Sequence, residues 1–562
     1  MTFGKNMIIK FDRTPEEYFR LSRLSLGRAE LDQALFYAEK ALRGKPTTEY
    51  KVSNAEILIA MGRYAEAVDV GLDALCYGRG MRAEIFDVLA RASSELGHFY
   101  ESLHYIAKKA HYEGDDDTLD AMDEVMQELD PEHDEKPDKP DFFIVGKEEQ
   151  KSAESDPMIV MRANFALSHG EVDEALRIAS EATPASEQYL GARIVCLRAY
   201  LKRKQHDKAV EAAEEIISLD PKNGFVLYVL IDKYKKKQYV PLLAGVENGG
   251  SELYYAILTA ENLGEHAVAC RLAEKLIGEN PYVPGAYFVS AAAYLNSGER
   301  KRSEECLKRL FSLYRKYPQD VILRGWRRLK KCAVGFSGRM PEEVVRILET
   351  YVKKHARTAE EFVASMLTDQ AFRDCVLLVL DEGSRKTNER ILGYFGEKEN
   401  RHVDAFFSKM LLRYEVDLIL KREIFAKLYL RKNKGRLYVA QSVVPICISC
   451  GKPPVFEAFP LSVRQAYAEV FSFVMCMTDA ECEARLQTLA MRVAAMDGAE
   501  ELSVQTVCGA LLHRLLSEGL IPFGAEANSA EDACRFLLDF IFGYKRGVNV
   551  RKIRALSLLL LR

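Results

Sequence analysis

The sequence lacks any long, uninterrupted apolar run. Its longest apolar stretches are far shorter than the ~20 residues that a bilayer-spanning helix requires, so no membrane span is expected in the 562 residues. The first residues, MTFGKNMIIKFDRTPEEYF, contain no apolar central region and no small-residue cleavage site. The twelve cysteines are scattered, mostly on apolar helix faces, as is typical of free thiols in a reducing compartment. We therefore expect a cytoplasmic protein.

The sequence also lacks the motifs of the common enzyme classes. None of the ten histidines forms an HExxH motif or an i, i+4 pair. Gly146-Lys147 lacks the other residues of a phosphate loop, and residues 335–338 are one residue short of a nucleophile elbow. Cys447 and Cys450 have the spacing of a zinc knuckle, but no second ligand pair follows. We predict a non-enzymatic protein with no cofactor and no metal ion.

What is present is the composition of a folded, soluble chain, with an uneven distribution of charge. Hydrophobic residues make up 48% and charged residues 29%, and the length indicates several domains or a solenoid. Residues 111–156 contain 18 acidic residues and 4 lysines, a net charge of −14. Because the whole chain carries −4, the remainder carries +10. An acidic segment is thus separated from a mildly basic remainder.

The most regular pattern lies in residues 187–223, EQYLGARIVCLRAYLKRKQHDKAVEAAEEIISLDPKN. Apolar residues recur at steps of three and four on each side of a polar turn at 204–207, which predicts two helices. The small side chains of Ala209 and Ala213 allow the helices to approach closely, and Pro221 ends the second one. This unit resembles a tetratricopeptide repeat, a family with a period of about 34 residues.

The same small position recurs along the chain, mostly at intervals of 33 to 35 residues. Its members are Ala34, Ala67, Ser102, Ala175, Ala209, Ala269 and Ser303. An irregular pair is expected at 224–246, one more pair at 319–355, and the resemblance covers about 15–355. Histidines 98, 169, 206 and 266 fall at or beside the turns and are expected to face solvent.

Beyond residue 356 the period fades, but the helical pattern continues. Less regular, HEAT-like helices are expected at 358–368, 370–381, 385–396, 401–412 and 415–431. One short β-hairpin is expected near 436–448, with Pro445 restricting it to an edge. Helices at 503–518, 529–543 and 549–562 complete a small C-terminal bundle. The predicted fold class is therefore an all-α solenoid with that bundle at its end.

These patterns predict five regions along the chain. They are N-terminal repeats (1–110), an acidic helix with a flexible linker (111–156), a second repeat array (157–355), an irregular helical region with the hairpin (356–452) and the bundle (453–562).

The resemblance implies a scaffold that binds a protein or peptide in the concave surface lined by the first helices of successive pairs. The candidate partner-binding residues are Asn164, Arg193, Arg198 and Tyr228, with Tyr255 and Tyr287 behind them. The alternative for each of them is packing between repeats. The acidic segment 111–156, with apolar residues 142–145, could fold back and modulate binding; the alternative is a solvated loop.

A basic tract at 324–331, RGWRRLKK, suggests a second interpretation. Arg324, Arg327 and Arg328 could contact phosphates while Trp326 stacks on a base, as in single-strand nucleic-acid binding. This would make the chain a nucleic-acid-associated or transcription-regulatory repeat protein. Basic solenoid faces are also commonly only solvated, and the chain is not basic overall.

Overall fold

The computed structural model describes residues 13–119, 122, 159–168, 171–186, 188–247, 249–279, 281–334, 339–431, 435–440, 445–450, 452–453, 456–474, 480–521, 529–542 and 550–560. These residues form α-helices almost throughout, and one small two-stranded sheet, so the all-α fold class is confirmed. Contacts divide the chain into two compact units: unit 1 comprises residues 1–119 and 352–562, and unit 2 comprises residues 120–351. In the described part of the chain, no helix combines the length and apolar character that a membrane span requires.

Unit 1 begins with three helix pairs. They are α1 (Pro15–Gly27), α2 (Leu31–Gly44), α3 (Thr48–Ala60), α4 (Tyr64–Tyr77), α5 (Arg82–Glu95) and α6 (Phe99–Glu113). A capping box starts α1: the Thr14 hydroxyl accepts from the backbone N–H of Glu17, whose carboxylate accepts from the N–H of Thr14. These bonds satisfy donors that a helix start leaves without an intrahelical partner.

Unit 2 contains the second series of paired helices. They are α7 (Ile159–Ser168), α8 (Val172–Ala179), α9 (Tyr189–Lys202), α10 (His206–Leu219), α11 (Gly224–Tyr228), α12 (Gly250–Leu263), α13 (His266–Glu279), α14 (Pro284–Asn296), α15 (Arg300–Leu313), α16 (Gln319–Trp326) and α17 (Glu342–His355, of which 352–355 belong to unit 1). After α11 come a π-helical turn, Val229–Lys233, and a 3₁₀ segment, Lys237–Gly245. The expected irregular pair at 224–246 is therefore confirmed.

The repeating small residue lies where the two helices of a pair meet. Ala34, Ala67, Ala175, Ala209 and Ala269 all have 0% of their surface exposed. Where serine replaces alanine, its hydroxyl donates to a carbonyl of the preceding helix: Ser102 to Ala90 at 2.9 Å and Ser303 to Ala291 at 2.7 Å. A side chain larger than these would push the paired helices apart, which is the physical reason for the repeating position.

The C-terminal part of unit 1 has shorter and less regular helices. They are α18 (Ala359–Thr368), α19 (Gln370–Glu382), α20 (Arg385–Glu397), α21 (Arg401–Met410), α22 (Leu418–Arg431), α23 (Leu461–Val474), α24 (Ala480–Ala494), α25 (Val504–Ser517), α26 (Ala530–Phe542) and α27 (Val550–Leu559). The bounds of α18 to α22 and of α25 to α27 agree with the helices expected from the sequence to within a few residues.

The expected hairpin is also confirmed. Strand β1 (Arg436–Val439) pairs antiparallel with β2 (Ile446–Ser449), with Leu437 opposite Ile448 and Tyr438 opposite Cys447. The strand pair is joined to the end of α21 because the backbone N–H of Ala440 donates to the carbonyl of Leu411 at 3.0 Å. The Lys421 ammonium of α22 donates to the carbonyl of Ala440 at 2.6 Å.

In unit 1 the N-terminal repeats contact the C-terminal helices. The backbone N–H of Tyr414, between α21 and α22, donates to the Asp69 carboxylate of α4 at 2.5 Å. The Tyr414 hydroxyl lies 3.0 Å from Nε2 of His98, and Lys409 lies 3.7 Å from the Asp73 carboxylate. His98 is therefore half-buried and in contact with Tyr414, and does not simply face solvent as expected. Sequence periodicity could not show this, since the partner lies 316 residues away.

Several expected features lie outside the residues that the structure describes. They include most of the acidic helix, expected at 117–129, and all of the linker 130–156. His169 and residues 335–338 also lie outside them. The division into five regions stays a prediction.

Candidate functional site

The site of interest in unit 2 is formed by the first helices of three successive pairs, α9, α11 and α12. Asn223 starts α11, because its side-chain oxygen accepts from the backbone N–H of Val226 at 3.1 Å. The Glu252 carboxylate of α12 accepts from the N–H of Phe225 at 2.8 Å. A Cβ atom at Gly224 would lie 2.1 Å from the carbonyl oxygen of Glu252. Glycine at 224 therefore allows α11 and α12 to begin in direct contact.

One arginine and three aromatic rings form a continuous surface on these helices, which we name the aromatic face: Arg198, Phe225, Tyr228 and Tyr255. The Arg198 guanidinium of α9 lies over the Phe225 ring at 5.5 Å from its centroid. The Tyr255 ring of α12 lies 5.1 Å from the Phe225 ring and 5.5 Å from the Tyr228 ring. Arg198 is exposed, and the three rings are half-buried. The four side chains are therefore held in place while part of their surface remains accessible.

Polar contacts also join α9 and α12 to neighbouring segments, α7 and the π-helical turn after α11. The Asn262 amide of α12 donates to the Asp232 carboxylate at 3.0 Å, and Lys202 of α9 donates to the carbonyl of Leu167 in α7 at 3.1 Å. Burial, followed by the charge of Asp232, raises the pKa of the Tyr228 hydroxyl above its ordinary value. That hydroxyl therefore stays protonated at neutral pH and keeps its hydrogen for donation.

The four residues expected to bind a partner in the second array are not all brought together. Arg198 and Tyr228 lie in the aromatic face, whereas Asn164 is a half-buried residue of α7. Arg193 instead binds the Glu215 carboxylate of α10, which also accepts from the Tyr189 hydroxyl. Arg193 therefore joins the two helices of one pair, which is the packing alternative for that residue.

The two tyrosines expected behind these residues also differ from each other. Tyr255 belongs to the aromatic face, but Tyr287 is only 4% exposed and donates to the carbonyl of Pro281 at 2.7 Å. Sequence reasoning missed Phe225, which links Arg198 to the tyrosines. Its position three residues before Tyr228, on one face of a helix, is the signal that could have identified it.

The basic tract at 324–331 is partly engaged within unit 2. Arg324 donates to the carbonyl of Asp320 at 2.9 Å, and Arg327 forms a two-pronged ion pair with Glu304 at 3.0 to 3.3 Å. The hydrogen bond from Arg327 lowers the pKa of Glu304. Arg328 is exposed.

Trp326 cannot stack on a nucleic-acid base in this structure. Its ring is only 1% exposed, and its Nε1 donates to the Ser303 hydroxyl at 3.0 Å. The base-stacking role expected for Trp326 is therefore wrong, because the indole belongs to the core between α15 and α16. A phosphate-binding role for the neighbouring arginines stays a prediction.

The remaining candidate groups do not converge on a site. In the ranges that the structure describes, no three His, Cys, Asp or Glu side chains are arranged to hold a metal ion. Cys447 is exposed on β2, whereas Cys450 is buried. His206 is exposed near Tyr234, and half-buried His266 contacts the Glu261 carboxylate at 3.1 Å.

A known family model matches part of this region. Residues 197–223, which span the end of α9 and all of α10, match the model described as "Tetratricopeptide repeat". The resemblance is thereby confirmed for that segment, and the chain contains a repeat scaffold of the type that serves protein interactions. No curated protein is significantly similar to the chain.

Solved structures also resemble the chain, among them two of tetratricopeptide repeat (TPR) proteins. YrrB, a TPR protein with an unusual peptide-binding site, is 17% identical over 30% of this chain and 90% of its own, with a TM-score of 0.23. A TPR protein from Parabacteroides merdae is 14% identical over 53% and 93%, with a TM-score of 0.21. The Cut9–Hcn1 structure of the APC/C is 10% identical over 89% and 96%, also with a TM-score of 0.21. Because the TM-scores are low, we draw no functional inference from these proteins.

Proposed function

We propose that this chain, a scaffold with tetratricopeptide-type repeats, binds a protein or peptide partner on the aromatic face of unit 2 and catalyses no reaction. The observation that supports this most is the run of half-buried rings on α11 and α12, which ends at the exposed Arg198 of α9. Aromatic and arginine side chains dominate the binding energy of protein interfaces. Held by ring contacts in the free protein, they lose little conformational freedom when a partner binds.

Site-specific cross-linking in the native cell tests this proposal. A photoreactive phenylalanine analogue in place of Tyr228 should cross-link a discrete partner protein, because Tyr228 lies in the aromatic face. The matched control places the analogue at Tyr77 of α4, a tyrosine that is 43% exposed in unit 1. The proposal is contradicted if position 228 yields no cross-linked protein, or only the proteins that position 77 also yields.

We further propose that the acidic segment 111–156 competes with the partner for the basic remainder of the chain. Its charge of −14 and the apolar residues 142–145 support this; residues 123–156 lie outside the described part of the chain. Replacing 123–156 by a glycine–serine linker of equal length should raise partner recovery at low salt and change it less at high salt, because salt screens charge attraction. Equal recovery at both salt concentrations would make the segment a solvated loop.

We also propose a cytoplasmic location. The described cysteines support it, because all are free thiols and most are buried. Fractionation of the native cell checks it, and recovery of the chain outside the cytoplasm would contradict it.

A further inference from the structure

The charged side chains around the aromatic face indicate which kind of partner it can bind. Among the described residues, no carboxylate forms an ion pair with Arg198, whose contact is the Phe225 ring. Lys202, one turn further along α9, is also exposed, and it donates to a backbone carbonyl and not to an acid. The face therefore carries positive charge beside its rings.

Three carboxylates on these or adjoining helical segments already have hydrogen-bond partners within unit 2. Glu252 accepts from the backbone N–H of Phe225, and Asp232 accepts from the Asn262 amide. Glu215, on α10, binds Arg193 and Tyr189. Among the described residues, none of these acids forms an ion pair with Arg198, so the N–H groups of Arg198 can bind a carboxylate of a partner.

The Arg198 guanidinium, 5.5 Å from the centroid of the Phe225 ring, offers donors in a fixed planar arrangement. Its N–H groups point outward in the plane of the group, where they match the two oxygens of a carboxylate. The adjoining surface of Phe225, Tyr255 and Tyr228 is apolar, apart from the tyrosine hydroxyls, and can cover a bulky apolar side chain.

We infer that the aromatic face recognises a partner segment in which an acidic residue stands next to a bulky apolar or aromatic residue. The carboxylate binds Arg198, and the apolar side chain packs on Phe225, Tyr228 and Tyr255. This inference deepens the proposed function and rests on it.

Fluorescence anisotropy with the full chain and short labelled peptides tests the inference. The probe contains the pair Glu-Phe in a glycine–serine background, and two comparison peptides contain Lys-Phe or Glu-Ala instead. The Glu-Phe probe should bind about tenfold more tightly than either comparison peptide, since a charge-assisted hydrogen bond or a buried ring provides that much discrimination. Absence of binding by Glu-Phe, or equal binding of all three peptides, would overturn the inference.

A charge reversal separates recognition from a general loss of structure. Arg198→Glu should reverse the preference, so that Lys-Phe binds more tightly than Glu-Phe. The matched control is Arg390→Glu, because Arg390 is also exposed and lies 5.4 Å from the centroid of an aromatic ring, Tyr394, but in unit 1. The control should keep the original preference. Equal weakening of both peptides by Arg198→Glu would assign the arginine a structural role and overturn the inference.

The peptide-binding experiment and the cross-linking experiment distinguish failure of the inference from failure of the proposed function. If position 228 cross-links a partner but the peptides show no charge preference, the binding face stands and the acidic–aromatic partner is wrong. If position 228 cross-links nothing, both the proposed function and this inference fail.

Discussion

At the residue scale, Ser303 has a larger role than the alanines at the equivalent position of other repeats. Its hydroxyl donates to the Ala291 carbonyl and accepts from the Trp326 indole, both within the core of unit 2. The serine therefore supplies the buried indole with its hydrogen-bond partner. In the repeats with alanine, this position sets only the spacing between the two helices of a pair. In this repeat, Ser303 also connects that pair to the next one through Trp326.

Ser303→Ala should destabilise unit 2 by about 1–3 kcal/mol, because it leaves the buried Trp326 N–H without an acceptor. Urea unfolding followed by the fluorescence of Trp326, the only tryptophan, measures the effect. The matched control is Ser290→Ala, also in unit 2, because the buried Ser290 hydroxyl donates to the Ala273 carbonyl at 3.3 Å and Trp326 reports on both variants. An equal loss of stability in both variants would contradict the role assigned to the indole contact.

Individual residues also show where prediction from sequence ends. Arg193 and Arg198 lie five positions apart on α9, and both were expected to face a partner. Only the fold shows that Arg193 forms an ion pair with Glu215 of the paired helix, whereas Arg198 lies over Phe225 of the next repeat. The two partners are 22 and 27 residues away, beyond the range of helical periodicity.

At the element scale, helix existence and pairing were predictable because they depend on local signals. Caps, turn glycines and the spacing of apolar residues placed α19 and α25 to within one residue at each end. The same signals placed β1 and β2 after α22. How the hairpin is held was not predictable, because the contacts of Ala440 with Leu411 and Lys421 follow from tertiary packing.

Lys421 makes the attachment of the hairpin sensitive to pH. Burial lowers the pKa of its ammonium to about 8, despite the charges of Asp69 and Asp417, which raise it. In the unfolded chain a lysine side chain has a pKa of about 10.4. Between these values the unfolded state binds more protons than the folded state, so this group makes the free energy of unfolding rise with pH from about 8 to 10.4.

In the Lys421→Met variant, the free energy of unfolding should therefore not show this increase with pH. The measurement compares the pH dependence of unfolding for the variant and the natural chain by circular dichroism, so that the other groups titrating in this range cancel. Lys409→Met is the control, because Lys409 has 68% of its side chain exposed. If both variants show the pH dependence of the natural chain, Lys421 does not lose its proton in the folded state.

At the scale of the whole molecule, the grouping of segments by contacts does not follow their order along the chain. Residues 1–119 and 352–562 share one compact unit, and residues 120–351 form the other. The sequence suggested consecutive regions, because repeats are recognised one after another along the chain. A contact such as Tyr414 with Asp69, 345 residues apart, leaves no periodic signal.

This arrangement predicts that the two units respond separately to substitution. Asp69→Ala removes the acceptor of the Tyr414 backbone N–H and should destabilise unit 1 by about 1–3 kcal/mol. Hydrogen exchange should then accelerate in α4 and in residues 411–417, while the fluorescence midpoint of Trp326 in unit 2 stays unchanged. Ser303→Ala should produce the opposite pattern, a lower Trp326 midpoint with unchanged exchange in α4. If either variant shifts both readouts by similar amounts, the two units unfold as one cooperative block, and the division by contacts has no counterpart in stability.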